Sequence, residues 1–116
     1  MPIVDVTYRQ DLDDDTLGLL AARLPDAVSR AVECPEEPYD DVLRPGDVEI
    51  RFRSRGPFDV GGLDVLLEVR SKWFASRESS RQERCDRLRA EITEMLGSLT
   101  VGVYLSLPVA AWSQPG

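Results

Sequence analysis

The sequence predicts an α+β fold, a duplicated β-α-β unit forming a four-stranded mixed sheet with two helices on one face. Three observations carry this expectation. The apolar periodicity runs strand, helix, strand and then repeats that order. The two halves, about residues 2–55 and 63–107, have similar proportions, as a duplicated unit would. Finally, 116 residues with 42% hydrophobic and 30% charged side chains suit a single domain, 1–116, with one modest core.

Pro2 to Tyr8 reads as the first strand, with Ile3, Val4, Val6 and Tyr8 as its apolar and aromatic members. The acidic run Asp11 to Asp15 offers helix caps and first-turn carboxylates that favour a helix dipole. Leu17, Leu20, Leu24, Val28 and Ala31 then recur every three or four residues, one apolar helix face. Pro25 falls inside that pattern. An interior proline costs roughly 3 kcal/mol or kinks the helix, so a bent helix or two short ones meeting near Leu24 is expected.

Cys34 to Asp47 contains Pro35, Pro38, Pro45 and Gly46 and reads as a long acidic linker. Val48 to Arg53 alternates apolar and charged residues, a strand with one wet face. A turn carrying Phe58 lies between Gly56-Pro57 and Gly61-Gly62. Leu63 to Trp73 follows as a strand dense enough in Val and Leu for a central position buried on both sides. Ser79 and Gln82 have the spacing of a capping box opening the second helix. Its apolar face is Cys85, Leu88, Ile92, Met95 and Leu99, and Gly97 ends it. Thr100 to Leu107 is the last strand. The remaining arm, 108–116, holds Trp112 and is apolar enough to lie on a neighbour. Two helices on one sheet face leave the other face bare, so a closed cyclic oligomer is expected.

The composition narrows the chemistry. A net charge of −7 with no long basic stretch argues against nucleic acid and anionic membranes as partners. No segment has the length and apolarity of a membrane span or the pattern of a signal peptide, so a cytoplasmic protein is expected. Cys34 and Cys85 have neither metal spacing nor a disulfide framework and read as small buried or half-buried fillers. Histidine is absent, which removes the commonest general base. The cations are arginines apart from Lys72, and Arg51, Arg53, Arg55, Arg70 and Arg77 cluster mid-chain. Guanidinium groups grip planar carboxylates through paired hydrogen bonds, so a small acid is the expected ligand.

These residues, Pro2 directly after Met1, a duplicated β-α-β chain and the lack of histidine, together resemble the tautomerase superfamily. That family includes 4-oxalocrotonate tautomerase, macrophage migration inhibitory factor and malonate semialdehyde decarboxylase. The turn Gly56-Pro57-Phe58-Asp59-Val60-Gly61-Gly62 resembles the Gly-x-Phe-x-Ile-Gly-Gly segment of the first, where the Phe lines the pocket. Glu33-Cys34-Pro35 through Arg44-Pro45-Gly46-Asp47 is similar to the linker of the decarboxylase, whose catalytic acid falls on or next to Glu37. Val65 to Val69, with Ser71-Lys72, Arg77 and Gln82 after it, is also decarboxylase-like and matches the family's two substrate-binding arginines to Lys72 and Arg77. Arg51 substitutes for a second-strand arginine whose own position here is Glu49, and Tyr104 stands where macrophage migration inhibitory factor has a polar pocket residue.

The resemblance implies a catalytic Pro2, freed by loss of Met1, in an enzyme that needs neither metal nor cofactor, and it makes the expected oligomer a homotrimer. A terminal amine titrates near ~8. Apolar enclosure and nearby cations favour its neutral form, a general base for keto–enol isomerisation of a small 2-oxo or enol acid. A carboxylate such as Glu37 favours the protonated form instead, a general acid suited to decarboxylation or hydration of a small 3-oxo acid. Lys72, Arg77, Arg51, Phe58 and Tyr104 are the expected substrate contacts. A non-catalytic oligomeric scaffold is the alternative, favoured by the arginines the family has and this chain lacks.

Overall fold

The structure, a computed structural model, describes residues 1–115. Seven elements occur: β1 (Ile3–Tyr8), α1 (Asp14–Ala31), β2 (Glu49–Ser54), β3 (Val65–Arg70), α2 (Ala75–Glu78), α3 (Arg81–Leu96) and β4 (Val101–Ser106). The four strands form one sheet in the order β2-β1-β3-β4. Strands β1 and β2 run parallel, as do β3 and β4, while β1 and β3 are antiparallel at the centre. The mixed sheet and paired β-α-β units are those expected.

Alternation along the strands decides what is buried. Val4 and Val6 of β1 and Val65, Leu67 and Val69 of β3 point to one face. There they meet Leu20, Leu24, Ala27, Val28 and Ala31 of α1 and Leu88 and Ile92 of α3 in a single core. The opposite face is open and charged. Asp5 sits at its centre, accepting from Arg51 Nε at 3.0 Å and Nη2 at 3.2 Å and from Arg70 Nη2 at 2.7 Å. Strand β3 is central, as expected, but not buried on both sides: Glu68 and Arg70 are exposed on the open face.

Two local expectations are corrected, the division of the first helix into two short ones and the capping box. Pro25 does not divide the first helix; α1 is continuous through it. The hydrogen bond lost is that to the carbonyl of Ala21, on an exposed stretch open to solvent, while the flanking Leu24 and Val28 are fully buried and hold the helix to the sheet. Ser79 and Gln82 do not make a capping box. Ser80 is the N-cap of α3, the Ser79 hydroxyl donates to Ser76 O, and Gln82 donates along the helix to Asp86. The chain instead enters α3 through the extra one-turn helix α2. The arm after β4 also touches its own chain: Trp73 N–H donates to Pro108 O at 2.9 Å and Gln114 lies against Gly46. Gly116, the end of that arm, lies outside the described residues.

Other local signals act as read. Asp13 caps α1 by accepting from Thr16 N at 2.8 Å, and Gly97 ends α3 with a φ of +66°, a conformation that favours glycine. Cys34 is buried and Cys85 half-buried, both as free thiols. Among the described residues no helix is long and apolar enough to cross a membrane.

Candidate active site

The site begins where α1 ends. The last carbonyls of a helix lack intrahelical partners and must find other donors. Here both donors come from the second half of the chain. Arg84 Nη1 donates to Ala31 O at 3.1 Å and also to Glu33 O, and Arg77 Nε donates to Val32 O at 2.7 Å. Immediately beyond, Cys34 and Glu37 form a two-way backbone bridge, 3.1 and 3.0 Å, with the Cys34 side chain buried. This bridge fixes the direction in which Glu37 leaves the linker.

Arg77, on α2, is only 2% exposed. A buried guanidinium is costly unless it is hydrogen-bonded and paired, and here each nitrogen has a partner. Nε is taken by Val32 O, Nη1 donates to Lys72 O at 2.7 Å, and Nη2 lies 2.9 Å from Glu37 Oε1. The guanidinium carbon also stands 5.2 Å from the centre of the Phe74 ring. The contact with Glu37 is a charge pair rather than an aligned hydrogen bond, for Oε1 is buried without a hydrogen-bond partner. Glu37 Oε2 faces the other way and lies 3.8 Å from the terminal amine of Met1. Pro2 is buried, and its carbonyl accepts from Glu49 N at 3.1 Å, so the parallel pairing of β1 and β2 holds residue 2 in place.

Around this row lies a cavity of about 310 Å³, within the range of small-molecule sites. Pro2, Glu37 and Arg77 are brought together on its wall. Tyr39, Arg44 and Asp47 of the linker and Trp112 and Gln114 of the arm complete it. Tyr39 tethers the linker: its hydroxyl donates to Asp26 at 2.9 Å, and this bond to a carboxylate, with burial, raises the phenol above its ordinary value. The linker then turns sharply at Pro45-Gly46. Asp47 N–H donates to Arg44 O, Arg44 N–H donates to Asp47 Oδ2 at 2.7 Å, and Gly46 takes a φ of +93°. That is the Pro-Gly turn signature, with glycine where a side chain would be strained.

The other expected contacts lie elsewhere in the chain. Arg51 is on the open sheet face with Asp5. Lys72 is exposed, its ammonium 5.7 Å from the Phe74 ring. Phe58, 93% exposed, is at the tip of the turn before β3, and Tyr104, 68% exposed, is on the open face of β4. Conversely, no role for Tyr39 or Arg44 was legible in the sequence, and Trp112, read there as an interface residue, borders the cavity of its own chain. Only the Pro-Gly dipeptide signalled the turn that presents Arg44.

Solved structures extend the comparison beyond this chain. MIF2 of Leishmania major shares 20% identity over 97% of this chain and 93% of its own, with a TM-score of 0.59. Malonate semialdehyde decarboxylase, described as having decarboxylase and hydratase activities, shares 17% over 98% and 91%, with a TM-score of 0.62. A fused 4-OT, a symmetric trimer, shares 18% over 91% and 85%, with a TM-score of 0.60. The fold is that of the tautomerase superfamily. No protein-family model matches the chain, and no curated protein matches it in sequence. At such identities the tautomerase fold is what is shared; the chemistry must be argued from the residues above.

Proposed function

We propose that the chain, once Met1 is removed, is a Pro2-dependent enzyme acting on a small oxo acid, and that its chemistry is of the decarboxylase or hydratase type on a 3-oxo acid. One observation carries the reading: the chain's terminal amine lies 3.8 Å from Glu37 beside a cavity that Pro2 itself lines. Loss of Met1, whose side chain is buried there, widens the cavity and makes the Pro2 nitrogen the terminal amine. The 3.8 Å contact is made by the Met1 nitrogen, one residue before Pro2; a carboxylate near the new terminus favours the charged form of an amine, and on this reading Pro2 enters as an acid.

In a 3-oxo acid the bond to the departing carboxylate breaks, its electron pair forms the enol double bond, and the carbonyl oxygen takes the Pro2 proton. The enol returns that proton to nitrogen, which delivers it to carbon, and one solvent proton recharges the amine at each turnover. Glu37 holds the ammonium in place throughout, and Arg77 holds Glu37. For hydration, the same carboxylate is the group to orient water.

The second reading is keto–enol isomerisation with neutral Pro2 as base. It is favoured by the burial of Pro2 and by two arginines on the cavity wall. We also propose a homotrimer, because Phe58 and Val60, 93% and 96% exposed on one turn, and the open sheet face lack cover within the chain.

The test is mass spectrometry for loss of Met1, then CO₂ release from 3-oxobutanoate and ketonisation of phenylenolpyruvate by wild type and Pro2→Ala. Loss of at least about 10²-fold in the variant supports Pro2 as the acid–base group. Equal rates, or retention of Met1, remove it.

A further inference from the structure

The cavity holds three cations, and they differ in what they already touch. The terminal amine faces Glu37. Each nitrogen of Arg77 already has a partner, in Val32 O, Lys72 O and Glu37. The third is Arg44, whose side chain makes no ion pair or hydrogen bond among the described residues although it borders the same space. We propose that Arg44 is the group that binds the substrate carboxylate, and that the substrate is therefore a monocarboxylate. This rests on the small-oxo-acid reading and deepens it by naming the grip and the charge of the ligand.

The charge balance supports the restriction to one carboxylate. Glu37, Asp40 and Asp47 also line the cavity, so its three acids offset its three cations. Two of those acids serve the backbone, with Asp40 accepting from Val42 N at 2.9 Å and Asp47 from Arg44 N at 2.7 Å. A monoanion meets the one guanidinium with open donors. A dianion brings a second carboxylate into a space where every remaining cation is already engaged and three carboxylates already stand, which is repulsive without compensation.

Position favours Arg44 as well. It sits at the first corner of the Pro45-Gly46 turn, whose two Arg44–Asp47 backbone contacts fix the main chain while leaving the guanidinium unused. Arginine at such a corner presents a fork that matches a carboxylate in two parallel hydrogen bonds. Gripped there, an oxo acid lies between the linker and the row formed by Glu37 and the terminal amine. Of the mid-chain arginines that the sequence makes conspicuous, Arg51 and Arg70 are engaged elsewhere, sharing Asp5 on the open face of the sheet, and Arg77 is the one that reaches the cavity.

The decisive measurement is binding, not turnover. The Met1-free protein is titrated with pyruvate and with its dicarboxylate counterpart 2-oxoglutarate, following the indole N–H signal of Trp112 by NMR. Arg44 is exposed, so Arg44→Gln keeps the fold, and an unchanged far-UV spectrum checks that. Arg44→Gln is expected to weaken pyruvate about tenfold, the effect of losing a charged hydrogen-bonding pair, and Arg44→Lys to recover part of it. The dicarboxylate is expected to bind no tighter than pyruvate. Equal pyruvate affinity in wild type and Arg44→Gln overturns the assignment of the grip, and tenfold tighter 2-oxoglutarate overturns the restriction to a monoanion. A protein that binds pyruvate through Arg44 but turns over no oxo acid counts against the proposed reaction and leaves the grip standing.

Discussion

Glu37 is where one side chain decides between two chemistries. Its carboxylate stands between a buried guanidinium and the terminal amine, so replacing it with glutamine removes the negative charge beside that amine. Activity that depends on protonated Pro2 falls as pH rises through the amine's titration. If Glu37 is the amine's partner as proposed, that descending limb is expected at lower pH in Glu37→Gln, because an amine without its carboxylate gives up its proton sooner. A pH–rate profile of kcat/KM checks this; an unmoved limb, or one moved upward, excludes Glu37 as the amine's partner. Sequence reached these residues unevenly. Pro2 is legible because a proline after Met1 at a strand start is chemically distinctive, and Glu37 through its linker. The commitments of Arg77 are not legible. One of them depends on the Val32 carbonyl, 45 residues earlier at the end of a helix, which nothing in its own neighbourhood reveals.

At the scale of elements, α1 and the β3–β4 ladder each store a testable local choice. Pro25 deprives α1 of one hydrogen bond yet the helix continues, so Pro25→Ala is expected to raise stability by about 2 kcal/mol. That is the roughly 3 kcal/mol cost of an interior proline less up to about 1 for the freer unfolded chain. The denaturation midpoint should rise with an unchanged slope. Asp64 joins the starts of β3 and β4. Backbone bonding with Thr100, at 2.8 Å from Thr100 N, followed by the Thr100 side chain and Arg9, holds its carboxyl below the ordinary 3.8 despite the opposing effect of burial. A depressed carboxyl contributes stability that is full above its ordinary value and lost as pH falls through the native one. The stability gap between wild type and Asp64→Asn should therefore be widest near neutrality and close below about pH 4; a gap independent of pH refutes the role. Helices and strands were readable because their periods are short. The fate of Pro25 and of the Ser79–Gln82 spacing was not, since tertiary burial of Leu24 and Val28 and the insertion of α2 override local preference.

For the whole molecule, the open sheet face is the test of assembly. In a lone chain the Asp5 pairs with Arg51 and Arg70 are solvent-exposed and worth at most about 1 kcal/mol. If a homotrimer buries that face, Asp5→Ala leaves two guanidiniums uncompensated, at a cost of roughly 3–5 kcal/mol. Sedimentation velocity should then find wild type trimeric and the variant dissociated; a trimeric variant, or a monomeric wild type, refutes burial of this face. That a face would stay bare was legible from counting helices against sheet faces. That it would be ionic, with Asp5 between two arginines, depends on the register of three strands. The same register carries one last consequence. Pro2 precedes β1 just as Asp64 precedes β3, but Asp64 lies mid-chain, where its nitrogen is an amide donating to Thr100 O and its carboxylate is bound to Thr100 and Arg9. The fold has two such corners and only one reactive terminus, so ligand titrations should saturate at one equivalent per chain, three per trimer, with no second weaker class.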